Sequence, residues 1–186
     1  EEETFFEIRW LDANGSDTNL VTTVESSSTS MRFHPQGFWS ADGARIFYRK
    51  PVERAKPTDP MHTDLVSVRL DGTDRKTHLR LPAVDDISPS PDGQWVAFTS
   101  RDNVYVTALP TIQTKEPPEV SAKEGSVPVW RLSDAAGAFV AWAEGGKTIT
   151  WSLGNTFHRL PLEAGMKFVE DQKAAEKRDK QPEDAE

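Results

Sequence analysis

There is no cysteine among these 186 residues. That absence removes disulfides, thiolate zinc sites, iron–sulfur clusters and cysteine nucleophiles together. Histidine is sparse. His34, His62, His78 and His158 stand 28, 16 and 80 residues apart, so no His-x-His pair or other ligand spacing occurs. No Gly-x-Ser-x-Gly elbow is present, which excludes the strained strand-to-helix serine of the α/β-hydrolases. No apolar run reaches the roughly 20 residues that a spanning helix needs. Basic residues are in deficit, with 22 Lys and Arg against 30 Asp and Glu and a formal net charge of −8. That balance argues against nucleic acid, which attracts a basic footprint, and against anionic membrane surfaces. The chain opens Glu1-Glu2-Glu3-Thr4 with neither Met nor a signal peptide, so the natural N-terminus is expected elsewhere.

What is present is turn chemistry that recurs. "FWSADGARIFYRK" from Phe38, "ISPSPDGQWVAFTS" from Ile87 and "VWRLSDAAGAFVAW" from Val129 each hold a Ser, a short Asp-bearing turn, a Gly and an aromatic strand. Gly43, Gly93 and Gly137 are 50 and 44 residues apart, the length range of one four-stranded repeat. Asp at these turns bonds its own backbone and Gly accepts positive φ. The strands alternate: Trp95, Ala97 and Thr99 point one way, Val96, Phe98 and Ser100 the other. Apolar groups on both faces predict sheets stacked on both sides. A second signature, strand–tight turn–strand, appears at 7–22, 63–81 and 147–162. In the second unit, Asn103–Leu109 supplies the strand and a Pro-rich loop replaces the turn.

These patterns predict an all-β chain, a partial β-propeller of about three and a half four-stranded blades over 1–162. The units fall at about 5–29 (partial), 35–82, 84–127 and 128–162, with long loops at 50–63 and 109–122. From 163 to 186 the sequence turns to Glu, Lys, Asp and Ala with a thin stripe of Met166, Phe168, Val169 and Ala174. That reads as a solvated helix or a charged linker.

Ser-x-Asp-Gly followed by alternating Ile, Val and Phe, then an Asp-Gly turn and a Leu-rich strand as in "RLDGTDRKTHLRL", resembles the repeat of TolB-like β-propellers over about residues 5–162. "GFWSADGARIFYRK" and "ITWSLGNTFHRLPLE", followed by a charged spacer, resemble more narrowly the propeller that precedes a metal-dependent amidohydrolase barrel in exported bacterial proteins. The resemblance implies a periplasmic or secreted protein. It implies a non-catalytic segment that scaffolds or gates a downstream barrel, with any divalent metal in that barrel and none here. The partners it implies are the remaining blades or the catalytic domain of the same protein. Two other readings stay open: a TolB-like module that binds envelope proteins, and the propeller cap of a prolyl-oligopeptidase-type serine peptidase.

No catalytic, cofactor or metal residue is expected in the segment. The weak candidates for a channel-facing surface are Asp85 and Asp86, just before the strand at Ile87, with Arg32, Trp130 and Arg131 at comparable places in other units. Paired carboxylates there could hold a cation or a basic group, but a solvated, turn-capping loop is the favoured reading. "DANGSD" at 12–17 lacks the Gly and Glu positions of a calcium loop and reads as a hairpin turn. The six Trp fall in or beside predicted strands, where large aromatics fill the wedge between sheets. His78 and His158 are expected on strand surfaces.

Overall fold

The Ser-x-Asp-Gly turns are closed by their own side chains. Gly43 N donates to Ser40 O at 2.9 Å, and Gly93 N to Ser90 O at 2.9 Å, with φ of 68° and 71° at the glycines. The Ser40 hydroxyl donates to Asp42 Oδ1 (2.6 Å) and accepts from Arg45 N (2.9 Å), and Asp42 Oδ1 accepts from Ala44 N (3.0 Å). Ser90, Asp92, Gln94 and Trp95 repeat the same network. The Ser40 hydroxyl, then Ala44 N–H, holds the Asp42 carboxyl below its usual range.

A computed structural model describes residues 4–15, 18–26, 34–110, 114–120 and 127–179. The chain is mostly β: among the described residues it forms four antiparallel sheets and a C-terminal helix. A two-stranded sheet pairs β1 (Thr4–Leu11) with β2 (Thr18–Ser26). Next comes a four-stranded sheet of β3 (Gly37–Trp39), β4 (Arg45–Pro51), β5 (His62–Arg69) and β6 (Lys76–Pro82), in chain order. The third sheet runs β7 (Asp86–Pro89), β8 (Trp95–Ser100), β9 (Asn103–Ala108) and β10 (Val129–Arg131). The last is β11 (Ala138–Ala143), β12 (Thr148–Leu153) and β13 (Thr156–Pro161).

Strand alternation sends apolar side chains to two interfaces at once. Ile46, Tyr48, Val66 and Val68 pack back onto Ile8, Val21 and Val24 of the two-stranded sheet. Phe47, Leu65, Leu79 and Leu81 pack forward onto Ile87, Val96 and Phe98. Ala97 and Val104 then meet Val140, Ile149 and Trp151 of the last sheet. Each fully buried Val, Leu, Ile or Phe contributes about 1.5–3 kcal/mol of transfer free energy, so these three clusters are the adhesive between sheets.

Two expectations are corrected by strand pairing. Val129–Arg131 does not open a new sheet: β10 pairs with β9, so the second four-stranded sheet extends past 127. Gly137 is not a turn glycine either. Its N–H donates to Asp102 O at 2.6 Å, and a Cβ there would stand 2.5 Å from Val104 Cγ2 and 2.8 Å from Trp151 Cδ1. It is a close-packing glycine. The turn that corresponds to Ser40–Arg45 and Ser90–Trp95 is Ala143–Thr148, closed by the pair Ala143↔Thr148 with Gly145 and Gly146 at φ 67° and 99°. Ala143 has no hydroxyl and Gly145 no carboxylate, so the Ser–Asp signature is missing from the sequence. Glu144 replaces it, accepting from Thr148 Oγ1 and Arg159 Nη2, both at 2.7 Å. The three turns stack. A Cβ on Gly93 would lie 3.4 Å from Ala41 Cβ, and one on Gly146 3.0 Å from the Asp92 carboxyl carbon.

The charged tail forms a helix, α1 (Leu162–Asp179). It starts directly from β13 and is seated by buried Leu162 and by Gly165, where a Cβ would meet Leu160 Cδ2 at 2.6 Å. From Glu170 to Arg178 it is exposed. Glu163 in the first turn and Lys177 and Arg178 in the last suit the helix dipole. No helix among the described residues is long and apolar enough to cross a membrane.

Candidate functional site

Asp86 sits where three sheets meet. Its Oδ1 accepts from Gln36 Nε2 and from its own neighbour Ile87 N, both at 3.0 Å. Its Oδ2 accepts from Val140 N at 3.0 Å. Gln36 immediately precedes β3, Asp86 opens β7 and Val140 lies in β11, so one carboxylate ties the first strands of three consecutive sheets. A second link, Trp142 Nε1 to Ser88 O at 2.8 Å, joins β11 to β7.

Beneath Asp86 lies Arg49, which the sequence reading passed over. Alternation in β4 turns it to the same face as Phe47, and it is 3% exposed. Its guanidinium donates to backbone carbonyls: Nε to His34 O, and Nη1 to Asp85 O (2.9 Å) and Val84 O (3.5 Å). Burial pushes Arg49 below the usual guanidinium range, while Asp86 and, less strongly, Asp85 pull it back up. The signal was readable: an Arg on a core-facing strand position demands carboxylates nearby, and the Asp85-Asp86 pair of the next unit is where they are. Asp85 itself is exposed and engaged through its backbone, its N–H donating to Thr99 O at 3.0 Å. The pair thus divides: Asp86 is a structural acceptor with both oxygens used, and Asp85 is a solvated carboxylate beside a buried cation.

The other candidates do not join this cluster. Trp130 and Arg131 lie on β10, the edge of their sheet opposite β7. Trp130 meets Trp95 edge to face at 5.9 Å and donates through Nε1 to Glu170 Oε1 of the helix at 3.1 Å. Arg131 secures the loop that follows, donating to Ser133 O and Asp134 O at 2.8 Å each. Arg32 lies outside the described residues.

Among the described residues no three His, Asp or Glu side chains converge to hold a metal. His62 pairs with Glu119 at 3.3 Å, and His158 stacks on Trp151 at 5.1 Å. His78 departs from its expected surface position. It packs on Phe47 at 5.0 Å, and its Nε2 lies 2.7 Å from Ser67 Oγ. Ser67 is wholly buried and its Oγ also accepts from Arg45 Nε at 2.9 Å. The hydroxyl keeps a second lone pair and its proton, so which partner donates in the Ser67–His78 bond follows the ring tautomer. Desolvation pushes His78 down to about 4, against a hydrogen bond to the Pro110 backbone that raises it. A serine–histidine pair at this distance invites a nucleophile–base reading. The hydroxyl has no exposure to substrate, and the ring is oriented by a backbone carbonyl rather than a carboxylate. The geometry is that of a packed polar network around a buried hydroxyl, with the ring half-buried.

The arrangement can hold sheets together and present their rims, and among the described residues it brings no nucleophile, base and oxyanion donor to one open point. No protein-family model matches the chain, and no curated protein matches it in sequence.

Proposed function

We propose that this chain is an arc of a β-propeller that serves as a non-catalytic scaffold or access gate in a larger exported enzyme of the amidohydrolase kind. The observation that carries the arc is the succession of β3, β7 and β11. Three first strands follow one another, joined through Asp86 at one end and by stacked turns at the other. Repetition of one supersecondary unit with nearest-neighbour interfaces is what a propeller requires. The non-catalytic part is supported by the employment of the best chemical candidates, Asp86 and Ser67–His78, in packing. The link to a metal-dependent barrel rests on the sequence resemblance of "GFWSADGARIFYRK" and "ITWSLGNTFHRLPLE". A protein-docking module is the second reading. It is favoured by apolar side chains left open on the end sheets: Phe5, Leu11 and Leu20 on one, Phe139 and Phe157 on the other.

Two measurements test this. Purified chain supplied with Zn²⁺ or Mn²⁺ is expected to hydrolyse none of a panel of amides, imides and esters. Turnover that a chelator abolishes would remove the non-catalytic reading. Light scattering on the chain alone should show concentration-dependent association, because an open arc leaves two apolar ends. A clean monomer at every concentration counts against the arc.

A further inference from the structure

Among the described residues other than glycine, left-handed φ occurs at Gln36 (43°), Asp74 (51°), Arg101 (48°), Asp102 (64°), Phe139 (55°) and Glu144 (54°). Such backbone is costly for a residue with a Cβ and persists where the surroundings over-determine it. Most of these have their reason in view. Asp74 and Glu144 are ion-paired through their carboxylates, at 2.7 Å to Arg45 and 2.7 Å to Arg159. Gln36 is held by its bond to Asp86. Arg101 and Asp102 fill the β8–β9 turn, bracketed by the pair Ser100↔Asn103, and a two-residue hairpin turn of this hand needs positive φ at both.

Phe139 is different. It stands in β11 where that strand has one residue more than β12, between the pairs Ala138↔Ser152 and Ala141↔Thr150. Glycine is the residue that a left-handed bulge position favours. Phenylalanine bears the backbone cost there and recovers no burial, since it is 80% exposed. Its flanks are fixed. Gly137 N–H is bonded to Asp102 O at 2.6 Å, and Val140 N–H to Asp86 Oδ2 at 3.0 Å. The fold thus sets the phenyl ring out on the rim and holds it there.

The same two bonds bring Asp102 and the Asp85-Asp86 pair to the bulge. Asp85 and Asp102 are exposed, as is Arg101 between them and the β8 strand end. Asp86 has both oxygens engaged and Arg49 is buried, so Asp85 is the carboxylate of that pair open to an incoming group. An aromatic face near a solvated carboxylate attracts a cation through the ring quadrupole and the opposite charge together. The net charge of −8 favours the approach of such a group. We propose that Phe139, with Asp85 on the same rim, is a docking point for an arginine or lysine side chain of a partner polypeptide. The inference rests on the docking reading and deepens it, naming the contact residue and the chemistry of what meets it.

The probe is an acetylated, amidated peptide of Gly-Arg repeats, with citrulline in place of arginine as the uncharged control. It is titrated to millimolar concentration against the ¹⁵N-labelled chain at low salt. Amide shifts are expected to saturate at Ala138, Phe139, Val140, Asp85 and Asp102, and to vanish with the citrulline peptide. Phe139→Gly and Asp85→Asn should each weaken binding about threefold or more. Phe139→Gly should also leave the urea midpoint unchanged or raise it, because glycine suits the bulge and little packing is lost. No saturable shift at this rim, equal shifts with citrulline, or undiminished binding to Phe139→Gly would each overturn the proposal. So would a midpoint lowered by about 0.5 M or more, which would make Phe139 a packing residue. Shifts confined to Phe5, Leu11 and Leu20 would overturn this site and leave the docking reading standing, whereas no shift anywhere on the chain would count against both.

Discussion

Asp86→Ala is expected to destabilise the chain by about 2–4 kcal/mol, while Asp85→Ala changes stability by less than about 0.5 kcal/mol. The two residues are adjacent and identical, so composition and local charge are controlled within the experiment. Removing the Asp86 carboxylate leaves Gln36 Nε2 and the Val140 N–H without their acceptor, at a junction of three sheets. It also removes the more strongly felt of two negative charges that act on the buried Arg49. A buried donor that loses its partner is not re-solvated, which makes the loss larger than the net worth of an ordinary hydrogen bond. Asp86→Asn separates the parts. Its carbonyl oxygen can still accept one bond, so it should fall between wild type and Ala, with the remaining deficit assigned to the lost charge. Urea denaturation reads this as a shift in midpoint at constant slope. Equal midpoints for Asp85→Ala and Asp86→Ala would sink the assignment of Asp86 as the inter-sheet tie.

The same residues show where sequence is informative and where it is not. Turn positions with Ser, Asp and Gly in register were legible because one local mechanism, a hydroxyl and a carboxylate closing a glycine turn, fixes both sequence and shape. At Ala143–Thr148 the same shape is built with Glu144 and two glycines, and the signature moved out of sight. "SDAAG" imitates that signature around Gly137, a position where Val104 and Trp151 leave no room for a Cβ. β10 was misplaced for a related reason. Three residues of strand after a long connection carry too little pattern to say which sheet they join, and pairing with β9 is a long-range fact. Among the site candidates, Asp85-Asp86 was visible as a pair but its division of labour was not, because the donors come from residues 36, 49 and 140. Trp130 and Arg131 were placed by analogy with the wrong turn, and strand order moves them to the far edge. The helix at the end was half legible: its propensity gave the helix, while its seating by Leu162 and Gly165 depends on where β13 delivers it.

Between pH 6.5 and 4 the chain should lose about 2–3 kcal/mol of stability through His78 alone. In the unfolded chain this ring titrates near its ordinary value of 6.5, and in the fold burial holds it down to about 4. Above 6.5 both states are neutral and nothing is lost. As pH falls through that window the unfolded state binds a proton that the native state refuses, so stability declines, and below about 4 the contribution levels off because both states are protonated. The upper bound follows from the pKa interval at 1.36 kcal/mol per unit, lowered because the ring is not wholly enclosed. Its neighbours add to this: Arg45 and Lys76 disfavour a further positive charge and Phe47 offers an apolar face, with the Pro110 backbone opposing them. His78→Gln keeps a hydrogen-bonding partner for Ser67 and removes this ring's titration, so its stability should fall less than that of the wild type over the same interval. Chemical denaturation at half-unit pH steps gives the comparison directly. The difference between wild type and His78→Gln should grow as pH drops from 6.5 to 4 and then hold constant. A difference independent of pH would mean that the ring is already solvated in the native state, and that the Ser67–His78 contact is a surface pair rather than a closed polar network.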